Sequence, residues 1–206
     1  AESRVYQNLI ELYQRMGQFD LAIQKFEEWE KTTANPGKKA NAFEKIGMVY
    51  EKKGEFDLAL EHLSKGIGYL QSNEDSQEMA RLYYDCGFVH SRKGEFDQAR
   101  EFYDKALGIL KDKTDQISLK EIGKLFNATG VVHWYQGKYD QAIEYYQKSI
   151  EIFQKLKDEQ EVSYPYNNLG NISFDRGDID QAIEYYQKSL ALREKIGDIN
   201  AMAGSY

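Results

Sequence analysis

The sequence repeats one short pattern five times at nearly constant intervals. The pattern is G-x-[FYI]-D-x-A, and its copies begin at Gly17, Gly54, Gly94, Gly137 and Gly177. Successive copies lie 37, 40, 43 and 40 residues apart. The ten residues DQAIEYYQKS occur identically at 140–149 and 180–189, overlapping the last two copies. A repeat period in this range indicates an array of small structural units that stack on one another.

Each copy of the pattern is predicted to mark a turn between two helices. Before the glycine, apolar or small residues recur at helical spacing, and after it a second stripe follows, as in Ala142, Tyr146, Ile150 and Phe153. The glycine suits the position just past a helix, where a positive φ costs little only for glycine. The aspartate three residues later is predicted to lie in the first turn of the next helix, where its charge is favourable.

A second set of glycines lies inside the predicted first helices of four units, at Gly47, Gly87, Gly130 and Gly170. A glycine inside a helix costs about 1 kcal/mol relative to alanine. Because the same position is glycine in four units, we expect a close approach of the two paired helices there, with no room for a side chain.

The combined spacing resembles the tetratricopeptide repeat, whose pattern is W-x2-L-G-x2-Y followed by A-x3-F. The matching positions of the fourth unit are Phe126, Thr129, Gly130, His133, Ala142 and Tyr146. The period is near 40 instead of about 34, and the helix-ending proline is absent. In this the chain is similar to long-repeat members such as the kinesin light chain, the spindle-orientation adaptors and the bacterial maltose-regulon activator. The resemblance implies an all-α, right-handed superhelical solenoid of about five helix-turn-helix units.

The expected organisation is a single array over residues 1–206. The predicted units are 3–39, 40–79, 80–122, 123–162 and 163–202. In register, residues 203–206 begin a sixth unit, so we expect the chain to be part of a larger array.

Composition and motifs argue against several classes of function. The net charge of −7 repels nucleic-acid phosphates and anionic membranes. The chain has one cysteine and no apolar run that spans a bilayer, which favours a cytoplasmic location. We find no phosphate-binding loop and no H-E-x-x-H or C-x-x-C motif, so no cofactor or metal is expected.

The sharpest catalytic candidate is the pair Cys86 and His90, four residues apart on one predicted helix face. Both occupy core positions of the repeat, as His133 does, and we interpret all three as packing residues. His62 is expected on an outer face. The sequence therefore predicts a protein that is not an enzyme.

The remaining candidate site is the wall formed by first-helix residues that packing does not use. Side-chain amides there can bind a peptide backbone, apolar groups can form pockets, and a tryptophan is a typical anchor. The predicted binding residues are Arg4, Gln7, Glu44, Met48, Arg81, Tyr84, Phe88, Lys124, Asn127, Val131, Trp134, Asn167, Asn171 and Phe174.

The resemblance also implies roles for some of these side chains. In long-repeat relatives, inner-helix asparagines hold ligand peptides, and Asn127, Asn167, Asn168 and Asn171 match them. The alternative is that these asparagines bond only to one another or to solvent. The co-chaperone members use Lys and Asn to bind a C-terminal carboxylate, but Gln7 and Glu11 stand there instead.

Three functions remain open from the sequence. The leading one is a module that binds an extended or helical segment of a partner protein in a concave groove; Arg4, Arg81 and Lys124 suggest an acidic segment. The alternative is a ligand-sensing domain of a larger signalling or transcription-regulating protein, filled by a small molecule or signalling peptide. The third is self-association through exposed repeat ends.

Overall fold

A computed structural model of the chain describes residues 12–13, 16–71, 76–195 and 197. Within those residues the fold is all-α, without strands, and has the helical-repeat solenoid architecture that the sequence predicts. The helices are α1 (Phe19–Thr32), α2 (Pro36–Lys53), α3 (Phe56–Tyr69), α4 (Gln77–Lys93), α5 (Phe96–Leu110), α6 (Gln116–Tyr135), α7 (Tyr139–Leu156), α8 (Glu159–Asp175) and α9 (Ile179–Lys195).

The chain forms two compact units. Unit 1 ends at Ile109 and unit 2 begins at Leu110. In unit 1, α2 pairs with α3 around buried Ala59 and Leu63, and α4 packs on that pair. In unit 2, α6 pairs with α7 and α8 pairs with α9, with buried Tyr146 and Phe153 at the contact of α7 with α8.

The glycines of the repeated pattern end the first helices as predicted. Gly54 follows α2 with φ 78°, and Gly94 follows α4 with φ 80°, both in the left-handed region. The aspartate three residues later lies in the first turn of the following helix, as Asp57 does in α3. Both parts of the turn prediction are therefore confirmed.

Three aspartates of the pattern also form ion pairs with the next repeat. In each case the partner is the lysine or arginine directly before the turn glycine of that repeat. Lys53 Nζ lies 2.8 Å from Asp20 Oδ1, and Lys93 Nζ lies 2.8 Å from Asp57 Oδ1. In unit 2, the same relationship joins Arg176 to Asp140 over 2.6 Å. The same aspartate thus lies in the first turn of its own helix and forms an exposed ion pair with the next repeat.

The glycines inside the first helices are needed for close packing, as expected. A Cβ at Gly130 would lie 2.5 Å from the ring of Tyr146, and one at Gly87 would lie 2.5 Å from the ring of Tyr103. The carbonyl oxygen of Ala99 would be 3.0 Å from the Cβ at Gly87. The paired helix therefore fills the empty place with a large side chain, and the backbones approach one another at the same point.

Candidate functional site

The first helices of neighbouring repeats lie side by side in unit 2. α6 contacts α8 directly, and α7 and α9 are their paired second helices. The unit-2 wall is defined here as the half-buried or exposed residues of α6 and α8 that the sequence assigned to binding. Its members are Lys124, Asn127, Val131 and Trp134 on α6, and Asn167, Asn171 and Phe174 on α8.

Two asparagines connect the helices of this wall. Asn168 Nδ2 donates a hydrogen bond to Asn127 Oδ1 over 2.9 Å. Each amide has two N–H donors and a carbonyl acceptor, so this bond leaves donors on Asn127 and an acceptor on Asn168. Asn171 has a different role, because its Oδ1 accepts a hydrogen bond of 2.9 Å from the Tyr186 hydroxyl.

An aromatic group lies where α6 and α8 end. Trp134 Nε1 donates to Asp175 Oδ2 over 2.7 Å, which joins the ends of the two helices. The Trp134 ring lies 4.9 Å from the ring of Tyr135, centroid to centroid. Tyr135 is 59% exposed and Phe174 is 60% exposed, so large apolar surfaces face solvent here.

The lysines of α6 are held by carboxylates of the same unit. Lys124 Nζ lies 3.4 Å from Glu121 and 3.9 Å from Glu161. Lys120 Nζ lies 2.8 Å from Asp158, and the hydrogen bond to that carboxylate raises the pKa of Lys120. The positive charges of this wall are therefore balanced locally.

The corresponding residues of unit 1 are arranged differently. Glu44, expected on the wall, is only 3% exposed, and its carboxylate bonds to Arg81 Nε at 2.9 Å and to Lys45 Nζ at 3.0 Å. Met48, Tyr84 and Phe88 are half-buried, as a wall requires. The two binding residues predicted in the first repeat, Arg4 and Gln7, lie outside the described residues.

These ion pairs remove the support that Arg81 and Lys124 gave to an acidic ligand. Arg81 and Lys124 suggested an acidic segment, but Arg81 is bound to a buried glutamate and Lys124 lies between two glutamates. Because each cation already has an anionic partner in the fold, neither supports a preference for an acidic ligand.

Two residues of this region were missed by the sequence analysis, Tyr135 and Asp175. They follow Trp134 and Phe174 directly, at the ends of α6 and α8. The tandem aromatic residues Trp134 and Tyr135 were a visible signal. No sequence signal links Asp175 to Trp134, which lies 41 residues before it in the chain.

The catalytic candidates are packing residues, as interpreted. Cys86 is 1% exposed, and burial raises the pKa of its thiol to about 12, so no thiolate forms near neutral pH. His90 bonds through Nδ1 to Glu95 over 2.6 Å and stacks on Phe102. His133 is buried and stacks on Tyr145.

His62 does not lie freely on an outer face. Its ring is half-buried and stacks on Tyr50 with a centroid distance of 5.2 Å. Within the described residues, no cluster of three or more His, Cys, Asp or Glu side chains has the arrangement of a metal site. None of the described helices is both long and apolar enough to cross a bilayer.

Stacked helix-turn-helix repeats with a mixed polar and aromatic first-helix wall define the class of helical-repeat proteins that act as protein-interaction scaffolds. The family model for the tetratricopeptide repeat matches residues 38–112 and 121–197. The chain belongs to the tetratricopeptide repeat family, which confirms the resemblance. Among curated proteins, no significant match is found.

Solved structures share this fold at low sequence identity. BtubC (BKLC) from P. vanneervenii has a TM-score of 0.78 at 19% identity over 93% of this chain and 80% of its own. The apo form of RapI has a TM-score of 0.80 at 18% identity over 100% and 75%. A putative kinesin light chain from Podosopora anserina has a TM-score of 0.67 at 17% identity over 94% and 95%.

Proposed function

We propose that the chain is a non-enzymatic interaction module that binds an extended or helical segment of a partner protein on its first-helix walls. The observation that carries this proposal is the Asn127–Asn168 hydrogen bond of 2.9 Å. That bond holds both amides in place, so little side-chain entropy remains to be lost on binding.

The unused groups of the asparagine pair match a peptide backbone. Asn127 keeps N–H donors for a peptide carbonyl, and Asn168 keeps a carbonyl oxygen for a peptide N–H. Backbone bonds of this kind fix the orientation of a segment without selecting its sequence. Affinity is then supplied by apolar contact with Val131, Trp134 and Phe174, which lie on the same two helices.

Unit 1 offers a second set of contacts within its own wall. Met48, Tyr84 and Phe88 are half-buried side chains on α2 and α4. The Tyr84 ring is supported by Tyr103 with a centroid distance of 5.7 Å, so it is a firm surface for an apolar group. We assign these three residues to the same binding function.

The test is a selection of displayed random peptides on the immobilised chain. Peptides retained by the wild type are measured again on the variant Asn127→Ala/Asn168→Ala. The matched control is Gln147→Ala/Gln187→Ala, which removes two exposed side-chain amides from α7 and α9. We expect the first variant to lose binding by about tenfold, the control to keep it, and both to retain helical circular dichroism.

If the asparagine variant binds the selected peptides as tightly as the glutamine control does, the proposal is contradicted. Selection of no peptide at all would favour the ligand-sensing alternative. Unit 2 also has an open cavity of about 560 Å³, away from the first-helix wall, whose apolar lining includes Phe153, Val162, Tyr166 and Leu192 and where a small molecule could bind. A thermal-shift screen with small molecules then becomes the direct test.

A further inference from the structure

We infer that the aromatic group at the ends of α6 and α8 binds a cationic side chain of the partner segment, with arginine preferred. The group consists of Trp134, Tyr135, Phe174 and Asp175, and is called the aromatic–acid corner below. This inference rests on the proposed function and specifies the chemistry of the ligand.

The corner combines two attractions for a cation. An aromatic face carries negative potential and attracts an ammonium or guanidinium group placed over it. The Asp175 carboxylate lies 2.7 Å from Trp134 Nε1, at the edge of the same indole. A full negative charge beside the ring adds to the attraction of the ring face for a cation in front of it.

The charge of Asp175 is not balanced within the described part of the chain. There the indole N–H is its hydrogen-bond donor, and no lysine, arginine or histidine pairs with it. The adjacent Arg176 is bound elsewhere, 2.6 Å from Asp140 and over the Tyr139 ring. Lys120 and Lys124 are also paired, so among the described residues of α6 and α8 the charge without a counter-ion is that of Asp175.

The corner is open to a ligand. Tyr135 is 59% exposed and Phe174 is 60% exposed. Asp175 is exposed as well. The rings of Trp134 and Tyr135 are tilted by 37° and lie 4.9 Å apart, so they present two faces in different directions. A planar guanidinium can stack on one face while its N–H groups reach the carboxylate.

The charge of the whole chain acts in the same direction. At −7, the chain attracts a basic segment from a distance and repels an acidic one. An arginine-bearing segment therefore gains both in encounter rate and in the contact itself, whereas a glutamate-bearing segment loses in both.

The test follows the indole N–H signal of Trp134 by NMR, because that N–H is bonded to Asp175. The chain has two tryptophans, and Trp29→Phe assigns the two signals. The probe is the peptide acetyl-Ala-Asn-Arg-Asn-Ala-amide, compared with versions carrying lysine, glutamine or glutamate in place of the arginine. Each is titrated into the labelled wild-type chain.

We expect the arginine peptide to bind about three- to tenfold more tightly than the glutamine peptide, with the glutamate peptide weakest. The preference should shrink as salt is added. In Asp175→Asn, which keeps an acceptor for the indole but loses the charge, the arginine preference should fall to less than about twofold. The matched control Asp178→Asn removes an equal charge from an exposed residue three positions away and should retain the preference.

Equal affinity of the arginine and glutamine peptides for the wild type would overturn the inference, and that comparison needs no variant. Loss of the preference in both aspartate variants would also overturn it, because a general charge effect would then suffice. If selected peptides depend on Asn127 and Asn168 but not on a basic residue, the proposed function stands and this inference fails. If the arginine preference holds while the asparagine variant binds selected peptides normally, the corner binds a cation as inferred, and the role proposed for Asn127 and Asn168 fails.

Discussion

The side-chain amide of Asn168 donates to the side-chain carbonyl of Asn127 over 2.9 Å, which joins two first helices through residues 41 positions apart. In unit 1, Arg81 and Glu44 also link α4 to α2, with charges instead of amides. The Arg81–Glu44 pair neutralises a buried carboxylate within the fold, whereas the paired amides keep donors and acceptors for a ligand. The two links therefore have different consequences for binding.

The close approach at Gly130 predicts opposite effects for two glycine substitutions. Gly130→Ala should destabilise the chain by about 1–3 kcal/mol, because the new Cβ would lie 2.5 Å from the Tyr146 ring. The control Gly108→Ala, in α5, has nothing within 4 Å of its new Cβ and should add up to about 1 kcal/mol of helix stability. Urea denaturation followed by circular dichroism measures both, and a shift of both midpoints in the same direction would contradict the packing argument.

The hydroxyl of Tyr146 is buried and has no hydrogen-bond partner among the described residues, whereas Tyr186, one repeat later, bonds to Asn171. The residue that corresponds to Asn171 in the repeat of Tyr146 is Val131, whose side chain cannot accept a hydrogen bond. We expect Tyr146→Phe to be neutral or stabilising by about 1 kcal/mol, and Tyr186→Phe to cost about 1 kcal/mol. Thermal unfolding of both variants checks this, and an equal loss in the two would be evidence against it.

The buried carboxylate of Glu44 predicts a strong coupling with Arg81. Arg81→Met should cost roughly 1–3 kcal/mol, because Glu44, 3% exposed, then has Lys45 as its one charged partner among the described residues. Adding Glu44→Gln should recover part of that loss. A double-mutant cycle by urea denaturation measures the coupling, and strictly additive effects would show that the pair has no structural role.

The burial of His62 predicts a change of stability with pH. Desolvation lowers the pKa of His62 below its usual value of 6.5. As the pH falls through 6.5, the usual pKa, the unfolded chain binds the proton more readily than the folded chain. The free energy of unfolding therefore decreases. The loss is complete only below the lowered pKa of the folded state.

The comparison with His62→Phe isolates this effect, because phenylalanine retains an aromatic ring beside Tyr50 and does not titrate. Urea midpoints of both proteins between about pH 8 and about pH 5 provide the measurement. We expect the wild type to lose stability relative to the variant as the solution is acidified. Parallel curves would mean that His62 has the same pKa in the folded and unfolded chains.

The fold was predictable because its signals are local and repeated. The turn glycines at Gly54 and Gly94, and the aspartate in the following first turn, require only the geometry of one helix end. The close packing at the interior glycines was predictable because glycine recurs at the same position of four repeats. The sequence did not reveal that an aromatic ring, such as that of Tyr146, packs against the glycine.

The sequence predicted the half-burial of most of the proposed wall residues, but neither the burial of Glu44 nor the partners of the wall residues. Helical spacing placed Asn127 and Trp134 on one side of α6, where the structure has them half-buried. The partners of wall residues depend on how neighbouring first helices are aligned, and this brings together residues far apart in sequence. The burial of Glu44 beneath Arg81 and the bond between Trp134 and Asp175 both arise from that alignment.

The most direct test of the account is to map a display-selected peptide onto the chain by backbone amide shifts in NMR. We predict that the largest shifts fall on α6 and α8, around Asn127, Trp134 and Asn168. Shifts confined to α7 and α9, with the first helices unchanged, would contradict the assignment of binding to the first-helix wall.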